Sequence, residues 1–557
     1  MRVVAPLVRL LPASPQRERP SGFRVATKPL PETLAHLRLI DQLMRIGPQR
    51  KPLILGALLL AAFAINVDTT IVNVALPTLV RELRASTTEL EWVVDAYNLV
   101  FAALVLATGN LSDRLGRKGV LLAGLGVFGI ATLAGGLGTN PTELIAARAV
   151  MGLGAALIFP ATLSLLTNVF TERAERARAI GLWGATTGVG IAVGPIVGGW
   201  LLERFAWSSV FYALAPIAAL AAVLVVWCVP TSRDPAAPPA DRAGLLLSTA
   251  AMALLIYTII EAPNHGWASA RTVIGLAVAV ALFGVFIVWE RRARAPMLDV
   301  SLFANLRFSA ASAAVTITFF SLMGFIFLVT MYFQFLKGYG PLSTGVRLLP
   351  VATTVGLTAV VGTGLAVRTG TKLVVAAGLV CLAAGLAWTS TASASTGYAT
   401  IAGQMVLIGC GIGLTSAPAT ESIMGAVPKA KAGVGSAIND ATRILGGTLG
   451  VAVIGSIYAS LYSSGLSSAR SVPLPAAAAD AAHRSVGGAL EAAARLDAAH
   501  QPALARALHD TASNAFFHGF AVACLVTGGV AALGAVMAAA LIPAHPPQAS
   551  LASLEAA

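Results

Sequence analysis

Fourteen runs of predominantly apolar residues, each close to the roughly 20 residues a helix needs to cross a hydrocarbon core, occupy this chain between residues 53 and 541. They lie at 53–77, 91–111, 119–138, 142–166, 179–202, 207–229 and 243–262, then at 270–289, 308–336, 343–366, 372–390, 398–422, 432–461 and 514–541. Hydrocarbon offers no partner to backbone polar groups, so each run must close its hydrogen bonds internally as a helix. Composition agrees. Only 11% of the 557 residues are charged, where soluble proteins carry about 25%, too few to clothe three or four soluble domains. The fold class is therefore an all-α polytopic membrane protein with 14 transmembrane helices. A soluble enzyme, a disordered chain and a disulfide-rich secreted domain are excluded. Cys228, Cys381, Cys410 and Cys524 all sit inside apolar runs without C-x-x-C spacing, and read as small buried residues.

The formal net charge of +13 does not point to nucleic acid, because the basic residues cluster between the apolar runs. With the N-terminus inside, inside segments hold 26 Lys and Arg and outside segments ten, and without the N-terminal tail the split is still 16 to ten. The excess of basic residues on one side places both termini in the cytoplasm. A composition rich in Arg, Ala and Gly suggests a bacterial chain, hence the bacterial cytoplasmic membrane.

The two ends of the chain resemble each other. Ala177-Arg-Ala-Ile-Gly181 leading to Gly194-Pro195 is echoed by Ala430-Lys-Ala-Gly433 leading to Gly446-Gly447. Pro160-Ala-Thr162 recurs as Pro418-Ala-Thr420, and Arg114-Leu-Gly-Arg-Lys118 recurs, degraded, as Arg368-Thr-Gly-Thr-Lys372, so the offsets are 252 to 258 residues. Such a repeat pairs runs one to six with runs nine to fourteen and leaves two central inserted helices. Two pseudo-symmetric six-helix bundles are one architecture of alternating-access transporters. The expected domains are a disordered basic tail at 1–51, an N-terminal bundle at 52–230, the inserted helices at 231–300, a C-terminal bundle at 301–541 and a short tail at 542–557. The tail at 1–51 lacks the pattern of a signal peptide. Within the second bundle, 463–512 is an extracytoplasmic loop whose Ala-rich stretch from Pro475 to Asp510 favours a surface helical cap.

Ionisable residues inside such runs carry the functional signal, since a charge at mid-membrane costs at least about 2.5–3.5 kcal/mol. Asp68 lies nine residues before Pro77, or about 14 Å along a helix. Arg148 lies seven residues after Pro141, about 10 Å below the same surface. Similar depths allow the two to pair, and a carboxyl beside a fixed guanidinium is suited to exchange a proton for a ligand; a static bridge between two helices is the plainer alternative. Asp440 and Arg443, at i and i+3, read equally well as a self-neutralising pair or as a second ion or substrate site. Asp95, near the outer end of run two with Trp92 and Tyr97, reads as an interfacial residue, and Glu261 and Glu421, near run ends, read as solvated carboxylates. The loop of Gly109, Asp113, Arg114, Gly116, Arg117 and Lys118 combines turn-forming glycines with charges that can latch one face shut. Gly190, Gly194, Pro195, Gly198 and Gly199 make a pliable packing seam. Asn73, Tyr97, Asn98, Phe101, Phe319, Phe320, Met331, Tyr332, Gln334 and Phe335 are candidates for a mostly apolar substrate pocket.

Together these motifs resemble the major facilitator superfamily, and within it the fourteen-helix drug:proton antiporters. The Gly109–Lys118 loop is similar to the superfamily's signature loop. Arg148-Ala-Val-Met-Gly152 resembles its fourth-helix motif, whose arginine is implicated in proton coupling. The Gly190–Gly199 pattern resembles the antiporter motif, Asp68 to Pro77 the first-helix motif, and Arg443 to Gly450 the thirteenth-helix pattern. The resemblance spans residues 52 to 541. It implies proton-coupled secondary active efflux of hydrophobic cationic or zwitterionic drugs, by a monomer in a lipid bilayer, with export of one metabolite, siderophore or lipid as the alternative. The proton gradient would drive it without a cofactor. No Gly-Lys dipeptide exists to build a P-loop, Gly124-x-Gly126-x-x-Gly129 lies inside an apolar run with no strand before it, and the seven histidines show no metal-binding spacing. An enzyme, a metal centre and a nucleic-acid partner are not expected.

Overall fold

The computed structural model describes residues 50–83, 87–232, 241–294, 296, 298, 300–468, 475, 478–479, 481–482 and 486–543, apart from a few side chains within helices. Among these residues there is no strand, and fourteen helices are long and apolar enough to cross a membrane. They are α1 Lys51–Glu82, α2 Thr87–Leu115, α3 Arg117–Leu137, α4 Pro141–Val169, α5 Arg173–Arg204, α6 Leu214–Cys228, which with the preceding turn Ser209–Tyr212 makes the crossing Ser209–Cys228, and α7 Arg242–His265. The second half holds α8 Ala270–Arg292, α9 Leu306–Met331, α10 Leu349–Thr369, α11 Thr371–Thr389, α12 Tyr398–Ala426, α13 Ala432–Ser468 and α14 Pro502–Leu541. Odd-numbered helices begin at the face where Lys51 lies, called here the N-terminal face; even-numbered helices begin at the opposite face.

Helix starts are written locally. Asn140 accepts a hydrogen bond from the Glu143 amide with Pro141 at the first position of α4, a combination that satisfies one orphan donor and removes another. Asp241, Ser269 and Asn305 cap α7, α8 and α9 in the same way. Expected and observed ends differ most at α13 and α14, which run to Ser468 and start at Pro502. Their extensions are not lipid-like in sequence. They are held by a separate apolar cluster that joins Leu466, Leu508 and Ala512 to Ala489, Ala492 and Leu496 of a further helix, Val486–Ala498. The expected tails at 1–51 and 542–557 lie outside the described residues except for 50–51 and 542–543.

Packing follows the repeat. In the first half α1 packs on α4, α5 and α6, α4 on α2 and α3, and α3 on α6. Adding eight to each number gives the packing of the second half: α9 on α12, α13 and α14, α12 on α10 and α11, and α11 on α14. The same shift exchanges the two seams between halves, α5 against α10 and α13 against α2. Equivalent glycines make both seams close. A Cβ on Gly109 of α2 would fall 2.6 Å from the Gly433 carbonyl oxygen of α13, and one on Gly181 of α5 would fall 2.5 Å from Thr363 Oγ1 of α10. Pro160 in α4 and Pro418 in α12 are likewise matched. The two inserted helices flank one seam: α7 packs on both α2 and α13, and α8 packs on α7. The indole of Trp267 donates to Ser456 Oγ at 2.8 Å, tying the α7–α8 turn to α13.

The repeat also fixes two backbone positions. Gly116 precedes α3 with φ 106° and ψ 121°, and Gly370 precedes α11 with φ 95° and ψ 146°. This region is open to glycine and closed to other L-residues at a cost of about 1–3 kcal/mol. Gly116→Ala and Gly370→Ala should therefore destabilise the protein by similar amounts, about 1–3 kcal/mol each, read as lowered denaturant midpoints of the purified protein in detergent. Wild-type midpoints for either variant would contradict the equivalence.

Candidate functional site

Two buried charges anchor the first bundle. Asp68 in α1 is 0% exposed and Arg148 in α4 is 2% exposed. Arg148 Nη1 donates to both Asp68 carboxylate oxygens at 2.8 Å, and its Nε donates to the Val93 carbonyl of α2 at 2.9 Å. The guanidinium carbon lies 4.3 Å from the Tyr97 ring centre, so its open face rests on a π-system of complementary polarity. Three helices thus meet at one depth around one guanidinium.

In front of this pair is a cavity of about 950 Å³ between the two halves. Its wall includes Tyr97, Asn98 and Phe101 of α2, Phe159 of α4, Phe319 and Met331 of α9, and a long stripe of α13 from Asp440 to Tyr462. The wall reaches Trp92, Tyr462 and Val486 toward the opposite face. Asp68 and Arg148 are not in the wall; Thr69 and Tyr97 are.

At the N-terminal face the halves are locked together. Asp113, near the end of α2, accepts from the Gly433 and Val434 amides at 2.9 and 3.2 Å. Those amides open α13, so a carboxylate of one half caps a helix of the other, where the helix dipole favours negative charge. Arg117 holds Asp113 from behind, Nε to Oδ1 at 2.8 Å, and donates from Nη2 to the Lys429 carbonyl at 2.9 Å. Lys118 reaches the Val226 carbonyl of α6 at 2.9 Å, and Arg114 lies in the last turn of α2. On the other seam Glu421 of α12 meets Arg176 of α5 at 3.3 Å and Arg307 of α9 at 3.9 Å.

The glycine pattern of α5 faces α1. A Cβ on Gly190 would lie 2.6 Å from Asn66 Cβ, one on Gly194 3.0 Å from Thr70 Cβ, and one on Gly198 2.8 Å from Ile71 Cγ1. Gly199 faces Leu342, and Pro195 is met by Gly345 of the Pro341–Arg347 turn before α10. The seam is a close approach of α5 to α1 on one side and to the second half on the other.

Not every candidate residue reaches the cavity wall. Tyr332 is buried among Phe333, Phe517 and Phe520, Gln334 sits in the π-helical turn Tyr332–Leu336, Phe335 lies against Gly487, and the Phe320 carbonyl packs on Gly450. None of the four lines the cavity. The Asn73 side chain lies outside the described residues. Glu421 departs from the solvated reading, being 3% exposed, while Asp95 and Glu261 line the cavity. Asp440 and Arg443 do not form an ion pair. Arg443 instead lies against Phe319, Trp183 and Phe159, with ring centres at 4.3, 4.8 and 5.3 Å, and donates to Thr187 Oγ1 at 2.8 Å. Position near a run end or spacing along one helix cannot reveal partners that arrive from other helices.

The chain matches the family model of the Major Facilitator Superfamily over residues 58–451. It is 34% identical over 499 residues to the multidrug efflux pump LfrA of Mycolicibacterium smegmatis, covering 89% of this chain and 96% of that protein. It is 31% identical over 490 residues to the methyl viologen resistance protein SmvA of Salmonella typhimurium, with 87% and 97% covered. The crystal structure of the human organic anion transporter MFSD10 shares the fold with a TM-score of 0.56 at 13% identity, covering 88% of this chain and 99% of that one.

Removing one member of a buried ion pair strands the other, at a cost of about 3–5 kcal/mol, whereas replacing both with apolar residues is often neutral. Arg148→Ala should therefore lower stability by about 3–5 kcal/mol and the double variant Asp68→Leu/Arg148→Met by clearly less, measured by denaturant unfolding in detergent micelles. Additive losses in the double variant would show that the two side chains are not coupled.

Proposed function

The chain belongs to the major facilitator superfamily; it is a transporter and not an enzyme, and from that premise we propose that it exports hydrophobic cationic and zwitterionic drugs in exchange for protons. Similarity to a multidrug efflux pump and to a methyl viologen resistance protein supports drug efflux. The cavity supports the substrate class: aromatic faces from Trp92, Tyr97, Phe101, Phe159 and Phe319 suit flat lipophilic cations, and Asp95, Glu261 and Asp440 supply negative charge.

The distribution of 26 basic residues against ten supports a cytoplasmic N-terminal face in a bacterial cytoplasmic membrane. In that orientation the Asp113 latch closes the cytoplasmic side and the cavity opens outward. A drug released outward leaves a cavity into which a proton can follow. The observation that carries proton coupling is the two-oxygen grip of Arg148 on Asp68. Protonating Asp68 removes the charge that holds Arg148, leaving the guanidinium on the Val93 carbonyl and the Tyr97 ring. Tyr97 belongs to the cavity wall, so the protonation state of Asp68 is transmitted to the surface a drug touches. Reorientation to the cytoplasm and loss of the proton there complete the exchange.

Purified protein in proteoliposomes should concentrate ethidium when a pH gradient is imposed, and a protonophore should abolish the uptake. Asp68→Asn should keep ethidium binding and lose gradient-driven uptake to background. Uphill transport by Asp68→Asn at the wild-type rate would overturn the assignment of the coupling group.

A further inference from the structure

Four charged side chains line the cavity among the described residues: Asp95, Glu261, Asp440 and Arg443. Glu261 is paired with His265 at 3.3 Å, and Asp95 has an interaction partner. Asp440 and Arg443 are different. Each is anchored through one polar side-chain atom and leaves another, buried one without a partner. Asp440 is 0% exposed; its Oδ1 accepts from Asn439 Nδ2 at 3.2 Å, while Oδ2 has no hydrogen-bond partner. Asn439 is itself fixed by the Thr420 hydroxyl at 2.9 Å. Arg443 is 8% exposed; Nη2 donates to Thr187 and Nη1 has no partner.

Three residues, about 4.5 Å of rise, separate two opposite charges that make no direct hydrogen bond to each other. The cause lies off α13. Phe159, Trp183 and Phe319 cage the guanidinium and Thr187 of α5 holds one edge of it, so Arg443 is drawn toward the first bundle and away from Asp440. Buried donors and acceptors of charged groups are costly when left unmade. A molecule that presents an ammonium and a carboxylate together would relieve both.

We infer that Asp440 and Arg443 form a zwitterion-binding site at the base of the cavity, with Asp440 Oδ2 accepting from a ligand ammonium and Arg443 Nη1 donating to a ligand carboxylate. This rests on the drug-efflux reading and narrows it: among drugs of equal lipophilicity the zwitterion is preferred over the monocation and the monoanion. Asp68 does not serve as the ammonium acceptor in this state, since it is 0% exposed and lies outside the cavity wall.

The test is equilibrium dialysis of the full chain in nanodiscs, without any gradient, against three probes at neutral pH. They are norfloxacin, which carries both charges, its methyl ester, which keeps the ammonium, and its N-acetyl derivative, which keeps the carboxylate. Norfloxacin should bind about ten- to a hundredfold more tightly than either derivative, the range supplied by one charge-assisted hydrogen bond. Arg443→Gln should bring norfloxacin down to the affinity of the ester and leave the ester unchanged. Asp440→Asn should bring norfloxacin down to the N-acetyl derivative and leave that derivative unchanged. Equal affinities for the three probes in the wild type would overturn the site, as would equal weakening of norfloxacin and its ester by Arg443→Gln. The wild-type comparison needs no variant, so a substitution that fails to fold does not rescue the idea. Binding preference without uphill transport in proteoliposomes would reject the efflux reading and leave the site standing.

Discussion

A guanidinium and a carboxylate that exclude water from each other hold the first bundle to a single geometry. Neither Asp68 nor Arg148 can remain charged in hydrocarbon alone, and the cost of one exposes the need for the other. The pair therefore sets the distance between α1 and α4, and the Val93 carbonyl brings α2 to the same point. Apolar packing alone would tolerate many small shifts among these helices. A fork of directed hydrogen bonds does not, and it holds α1, α2 and α4 at one point.

The helix that feels this change also carries the lock. Val93 and Tyr97 lie near the start of α2, and Gly109 and Asp113 near its end. One helix between them connects the buried ion pair to the interface that seals the N-terminal face. That interface is built for reversal. Glycine contacts bring α2 and α13 close without interdigitated side chains, and the attraction is concentrated in a few hydrogen bonds to the first amides of α13. Releasing Asp113 exposes polar groups that water can satisfy, whereas pulling apart a leucine-rich interface would expose apolar surface. Within each half glycines also seat larger residues: Phe128 meets Gly154, and Ile408 meets Gly385, as fitted contacts that keep each bundle a unit.

What was legible beforehand divides along the same line. Membrane crossings follow from hydropathy, because hydrocarbon imposes its demand on every residue of a span. The meeting of Asp68 and Arg148 follows from depth, since both helices are straight rulers measured from the same surface. Gly116 and Gly370 reveal the repeat because a backbone angle restricts the residue directly. Glu421 departs from the reading its position suggests, for a physical reason. Distance from a span end measures exposure only when lipid and bulk water are the sole surroundings. Here Arg176 and Arg307 come to Glu421 from remote helices, while Asp95 and Glu261 face the cavity. Asp440 and Arg443 follow the same logic, for the i, i+3 spacing permits a pair that three aromatic rings from other helices prevent. The extended ends of α13 and α14 escaped hydropathy because their partner is the Val486–Ala498 helix rather than lipid.

The placement of charge along the cavity has a physical consequence. Asp95 and Glu261 stand on α2 and α7, and Arg443 stands deeper, on α13 beside Phe159 of α4 and Thr187 of α5. A lone Arg at that depth would repel the cations that the acidic groups attract. Its ring cage changes the balance: three π-faces present negative potential to the guanidinium, and the charge is stabilised in place without consuming Asp440. The result is a cavity whose net attraction for cations survives an embedded positive charge, and whose positive charge still has a donor directed at an anionic group. Had Arg443 paired with Asp440, the two would have cancelled and the base of the cavity would be a neutral, apolar end. By holding them apart, the aromatic residues of both halves turn a mutually compensating pair into two separate points of recognition.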